Sequence, residues 1–374
     1  MGVHRASHQG LTGIHRGAAC PSSTRGTRGL TKRAAFRFGD GMSTEPASPL
    51  VISTPTAVVA AVPFLLGFTP SDSIVAIAVS DAGTVRLAMR ADIPDRVDTD
   101  AWAPAVAASL LRAGIQDCRV ILVAYEATGD PEGVLLAVDL LSAHIREAGH
   151  LIADRLWCAR QRWRSFDCRD EECCPPAGRP LAPELAEQVF RALGSRRVAA
   201  SREELESELE CDNPALRAQV EQDLRGLRPL REKQRDIAVA HAADVLCGRA
   251  TASADIAMML MALRDLRVRD TVLWDLMQMP PQRWGSVVDT MAGLTRVAPD
   301  RFVAPLASLL AIMRWQHGDG TRACIAVDRA LQHAPRYSLA RLIAASLTSG
   351  MNPLVWRAGM DSLTRDRCRR PGGR

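Results

Sequence analysis

Four cysteines near the middle of the sequence have a spacing that suits metal binding. Cys168 is followed closely by Cys173 and Cys174, and Cys158 lies ten residues before Cys168. The short segment between Cys168 and Cys173 can turn and bring both sulfurs to one point. Thiolates are soft ligands that suit zinc, which usually takes four donors in a tetrahedron. The cluster is therefore a candidate zinc site with these four cysteines as ligands.

Other interpretations of the cysteines stay open. Adjacent cysteines seldom bind one metal together, and no histidine lies nearby, so Cys158, Cys211 or a second chain would have to supply the fourth donor. The thiols could instead pack as small apolar groups in a loop fixed by Pro175 and Pro176. They could also form a disulfide under oxidising conditions, which would make the cluster a thiol-redox site.

A second group of polar residues flanks a predicted β-hairpin. Asp72 and Ser73 precede its first strand, and Arg90 and Asp92 end its second, so all four could gather at one edge of a sheet. Such a site could bind a small anion through Arg90. Alternatively, Asp72 or Ser73 caps the turn and Arg90 pairs with an aspartate. A nucleophilic serine needs a general base, and none stands beside Ser73. If these residues form an active site, the sequence does not indicate its reaction.

Motifs of familiar enzymes are missing from the sequence. It has no phosphate-binding loop, dinucleotide fingerprint, His-Glu-x-x-His or Gly-x-Ser-x-Gly. The histidines beyond residue 41 are scattered. We therefore assign no catalytic residue and favour a non-enzymatic protein.

The charge distribution argues against a nucleic acid partner. Arginines at 155, 160, 162 and 164 surround Trp157 and Trp163, a combination that can bind single strands. However, the net charge of +5 comes from an arginine-rich segment at residues 1–41, and the rest of the chain is nearly balanced. We interpret the arginines as a solvated strand face with the tryptophans packed inward.

The first 49 residues read as a disordered basic tail. They lack apolar periodicity, and a transit peptide would look similar. Met42 is an alternative start. The apolar part of the following segment, residues 58–68, is too short to cross a bilayer. We expect a cytoplasmic protein without membrane contact, whose cysteines are reduced thiols or metal ligands.

The apolar segments and the turn residues between them predict that the chain folds as two halves. Residues 50–180 alternate strands with helices, and the hairpin makes the sheet mixed, so this half is α/β and ends in the cysteine loop. Residues 181–360 form an all-α half, and residues 361–374 a frayed basic end. Within the all-α half, the helices predicted at 301–316 and 320–333 resemble one tetratricopeptide repeat, although the usual Trp and Tyr are absent. One repeat cannot form a peptide-binding superhelix.

The sequence resembles the bacterial family known as Domain of Unknown Function 4192. The resemblance rests on Ala60–Val75 with Arg90–Pro94, on Trp163–Cys168 with the Cys-Cys-Pro-Pro motif at 173–176, and on Gly318–Gly320 with Tyr337–Leu342. Phe166 stands where the family pattern has Tyr. The resemblance spans residues 42 to about 356 and implies an architecture but no reaction.

The sequence thus predicts an uncharacterised protein with three possible roles. The leading hypothesis is an interaction or regulatory protein that binds another protein through residues 181–360. The second is a zinc-binding or thiol-redox protein built on the cysteines. The third is an enzyme that uses the polar group at the hairpin.

Overall fold

The computed structural model describes residues 54–81, 85–115, 117–126, 129–182, 184 and 197–369. The predicted basic tail lies outside the described residues. So does most of residues 181–193, whose apolar spacing predicts a helix.

A mixed sheet of six strands forms the first half of the molecule. Its order is β2-β1-β3-β4-β5-β6, and among its neighbouring pairs only β3 and β4 are parallel. The strands are β1 Ser73–Ser80, β2 Val85–Asp92, β3 Cys118–Tyr125, β4 Leu151–Ala159, β5 Arg162–Ser165 and β6 Arg179–Pro180. The sequence of residues 151–166 predicts a long strand or a hairpin, and the structure has a hairpin there, β4–β5.

Three helices cover the two faces of the sheet. Helix α1, Pro55–Leu66, begins where Ala57 N–H donates to the Thr54 hydroxyl at 3.2 Å and ends at the left-handed Gly67. It lies on the face formed by Val75 and Val123. Helices α2, Thr99–Arg112, and α3, Pro131–Glu147, cover the other face. Alternate residues of β1 and β3 are therefore buried in different clusters, as the two-residue period of a strand requires.

Helices make up the described part of the second half. They are α4 Arg202–Ser207, α5 Pro214–Arg225, α6 Arg235–Leu246, α7 Ser253–Ala262, α8 Leu266–Met277, α9 Trp284–Val297, α10 Asp300–Gln316, α11 Gly320–His333, α12 Ser338–Thr348, α13 Pro353–Asp361 and α14 Arg365–Arg369. The fold class, a mixed sheet followed by an all-helical region, is confirmed. Helices α10 and α11 pack against each other, but their likeness to a tetratricopeptide repeat is not confirmed.

One hydrophobic core joins the sheet to the helical half. The cluster that contains Val75 and Leu156 of the sheet also contains Phe302 and Leu310 of α10. On the opposite face, a Cβ added at Gly350, after α12, would lie 2.8 Å from the Ala113 Cβ at the end of α2. The boundary expected at residue 180 stays a prediction, since the two sides share buried surface.

No helix in the described ranges is long and apolar enough to cross a membrane.

Candidate metal centre

A strand pairing closes the loop that carries the cysteine cluster. Trp163 of β5 pairs with Arg179 of β6, so residues 166–178 form a loop between two adjacent strands. Gly178 completes the loop at a φ of 73°. A Cβ at this position would lie 3.0 Å from the Trp163 carbonyl oxygen. Glycine therefore meets both the backbone and the space requirements of the closure.

A turn inside the loop is held by Asp170. The Asp170 carboxylate accepts hydrogen bonds from the N–H groups of Glu172 at 2.9 Å and Cys173 at 3.3 Å. The N–H of Cys174 donates to the Asp170 carbonyl oxygen at 2.7 Å. This turn brings both adjacent cysteines back toward Cys168.

The sulfurs of Cys168, Cys173 and Cys174 lie within 4.8 Å of one another. Three thiolates around one zinc ion, each at about 2.3 Å, would be about 3.8 Å apart in a tetrahedron. Each pair of sulfurs would therefore have to approach by at most about 1 Å to reach that spacing. Cys173 and Cys174 are buried, whereas Cys168 is partly exposed. The loop thus places three soft donors at the boundary between protein and solvent.

Cys158 does not belong to this group of sulfurs. It lies on β4 and packs in the core shared with α1, with only 5% of its surface exposed. Burial raises the pKa of its thiol to about 12. The four-cysteine arrangement expected from the spacing is therefore a three-cysteine arrangement in the structure.

Two arginines fasten the loop through backbone carbonyl groups. The Arg179 guanidinium donates to the carbonyl oxygen of Cys173 and, at 2.7 Å, to that of Glu172. The Arg162 guanidinium donates to the Ala177 carbonyl oxygen at 2.7 Å. These bonds order the loop from protein contacts alone. No sequence pattern indicates these arginine contacts, whereas Asp170, three residues before Cys173, is a recognisable turn signal.

The polar residues of the hairpin do gather at one end of the sheet. Ser73 of β1 pairs with Asp92 of β2, and Asp72 precedes β1 at a φ of 42°. The Arg90 guanidinium forms an ion pair with Asp92 at 2.6 Å and lies 5.7 Å from the centre of the Phe68 ring. Ser73 is fully buried and its hydroxyl has no hydrogen-bond partner among the described residues. The pairing of Arg90 suits a role in fixing the hairpin, and anion binding there stays a prediction.

Arginines of the β4–β5 hairpin bind groups within the chain. Arg155 forms ion pairs with Asp139 and Asp167. The Arg164 guanidinium lies 5.1 Å from the centre of the Trp157 ring. Their charges are thus directed at neighbouring side chains.

The chain matches a known protein family. A family model described as "Domain of unknown function (DUF4192)" matches residues 55–354. No curated protein and no solved structure matches the chain.

Proposed function

The chain belongs to the DUF4192 family, and from this premise we propose that it is a zinc-binding protein whose ligands are Cys168, Cys173 and Cys174. The observation that supports the proposal is the convergence of the three sulfurs within 4.8 Å of one another. A disulfide would use only two of the sulfurs, whereas one thiophilic metal ion can use all three. Three soft donors at one point suit a thiophilic metal ion better.

Binding of the metal would change the protonation of the loop. One Zn²⁺ replaces the protons of three thiols, so three protons pass to solvent and the site carries a net charge of −1. Affinity should therefore fall as the pH falls, because protons compete for the thiolates. The turn at Asp170 and the two arginines order the loop in advance, which lowers the entropic cost of binding.

Metal analysis tests the proposal directly. Full-length protein purified without chelators, or reduced and reloaded with zinc, should contain about one zinc per chain after desalting. The variants Cys168→Ser, Cys173→Ser and Cys174→Ser should lose most of the bound zinc. Cys158→Ala and Cys211→Ser are matched controls and should retain it. A chain that holds only traces of metal, or whose cluster variants hold as much zinc as the wild type, refutes the proposal.

The interaction role of residues 181–360 stays a prediction, as do cytoplasmic localisation and the reading of the chain as non-enzymatic.

A further inference from the structure

A zinc ion bound by the three cysteines would lack a fourth protein ligand. The inference drawn from this rests on the proposed function. We infer that the three-cysteine centre keeps its fourth coordination position for a small, neutral donor from solution. Water fills the position at rest, and a neutral nitrogen donor can replace it. Zinc centres with three protein ligands and one exchangeable ligand are the kind that bind or activate small molecules.

The first support is the donor set. Within the described ranges, the group of potential ligands contains three cysteines and no histidine or carboxylate. Cys158, the fourth cysteine expected from the sequence, packs in the core beside α1. The Asp170 carboxylate is already engaged by the N–H groups of Glu172 and Cys173. Both hydrogen bonds go to Oδ1, and the Asp170 carboxylate is not among the ligand atoms that converge.

The second support is access. Cys173 and Cys174 are buried, but Cys168 is partly exposed. A metal ion bound by all three sulfurs would lie at the protein surface on the side of Cys168. A small molecule can reach such an ion without any rearrangement of the sheet or of the helical half.

The third support is charge, which selects the kind of donor. Zinc with three thiolates carries a net charge of −1, and the charged side chains around the loop do not offset it. Four acidic residues, Asp167, Asp170, Glu171 and Glu172, are balanced by four basic ones, Arg155, Arg162, Arg169 and Arg179. An anionic fourth ligand would meet this excess negative charge, whereas a neutral donor would not. The exchange is balanced as written: one neutral donor enters, one water leaves, and no proton or electron is transferred.

Cobalt substitution of the full-length protein tests the inference. Cobalt bound by cysteines shows a thiolate-to-metal charge-transfer band in the near ultraviolet and d–d bands in the visible region. Titration with imidazole should change the d–d bands saturably while the charge-transfer band persists and cobalt stays bound after desalting. Azide at the same concentrations should change the d–d bands at least tenfold less. Cys158→Ala should respond as the wild type does.

The outcomes separate the inference from the proposed function. If no charge-transfer band forms, the chain does not bind metal through its thiolates and both ideas fail. If the band forms but imidazole leaves the d–d bands unchanged, a protein group fills the fourth position and only the inference fails. If the charge-transfer band appears only in a dimer that forms with cobalt, and imidazole leaves its d–d bands unchanged, a second chain supplies the fourth ligand. The inference then also fails. A stronger response to azide than to imidazole contradicts the choice of a neutral donor.

Discussion

Environment distinguishes cysteines that look alike in the sequence. Cys158 is buried among apolar residues, and desolvation raises the pKa of its thiol to about 12. Cys168 is partly exposed and lies beside two further sulfurs. A thiol reacts through its thiolate, so reactivity depends on both pKa and exposure. The thiols of Cys158 and Cys168 should therefore differ in reactivity, although both residues belong to one cysteine-rich segment.

Alkylation should reveal this difference. In zinc-depleted, reduced protein at pH 8, iodoacetamide should modify Cys168 at least tenfold faster than Cys158, because Cys158 has almost no thiolate and little access. Zinc should slow the reaction of Cys168 and leave that of Cys158 unchanged. Peptide mass spectrometry after timed quenching gives both rates. Equal rates in the native protein would contradict the burial of Cys158, and unfolding in urea should make the two equal.

The spacing predicted that the sulfurs of four cysteines meet, whereas the structure brings Cys168, Cys173 and Cys174 together and leaves Cys158 in the core. Cys168 and Cys173 lie close together because the four residues between them form a turn. Cys158 lies on a strand, where successive side chains point to opposite faces. A shift of one residue in register reverses the face. Spacing alone therefore cannot tell whether Cys158 meets the loop or the core.

At the level of elements, a two-residue strand determines the geometry of the cysteine loop. Strand β6, Arg179–Pro180, pairs with β5 and returns the chain to the sheet directly after Gly178. The left-handed backbone of Gly178 and its approach to the Trp163 carbonyl group make this return possible. The geometry of the proposed metal centre therefore depends on a residue that is not one of its proposed ligands.

Replacement of Gly178 should weaken metal binding. Gly178→Ala should cost about 1–2 kcal/mol for the left-handed backbone, plus a contribution from the contact of its Cβ with the Trp163 carbonyl oxygen. We expect a lower urea midpoint and at least tenfold weaker zinc affinity, measured by competition with a chromogenic chelator.

A second glycine provides the control for this variant. Gly149 also has a positive φ, of 87°, but nothing lies within 4 Å of an added Cβ. Gly149→Ala should therefore show the backbone cost alone and unchanged zinc affinity. If both variants bind zinc equally well, closure by Gly178 does not position the ligands.

Most longer elements could be predicted from the sequence, and the short ones could not. Helix α1 begins at Thr54-Pro55 and ends at Gly67 as expected, because capping residues mark both ends. The chain turns between β4 and β5 at Arg160 and Gln161, both with positive φ, and neither residue type signals such a turn. Strand β6 is too short to show a period. Helices α13 and α14 also escaped prediction, since short segments carry little pattern.

At the level of the whole molecule, the shared core ties the stability of the sheet to that of the helical half. Leu156 of β4 is fully buried in the cluster that extends to α10. Loss of a side chain from such a cluster removes contacts on both sides. The two halves expected from the sequence should therefore unfold as one cooperative unit.

Truncation of Leu156 tests this coupling. Leu156→Ala should lower the free energy of unfolding by about 2–5 kcal/mol and leave a single transition. Hydrogen exchange should rise by a similar factor in β3 and in α10. Val97→Ala is the control, because Val97 is 88% exposed and should change neither quantity. Faster exchange confined to the sheet would show that the halves unfold separately.

The close approach of Gly350 to Ala113 also limits which residues can replace Gly350 during evolution. Any side chain at 350 would lie within 3.0 Å of the Ser109 carbonyl oxygen as well as against Ala113, and its φ of 67° already disfavours other residue types. A smaller residue at position 113, more than two hundred residues away in the chain, would relieve the contact with the Ala113 Cβ but not the contact with the Ser109 backbone. Substitutions at position 350 and at the end of α2 therefore depend on each other, whatever selection acts on the cysteine loop.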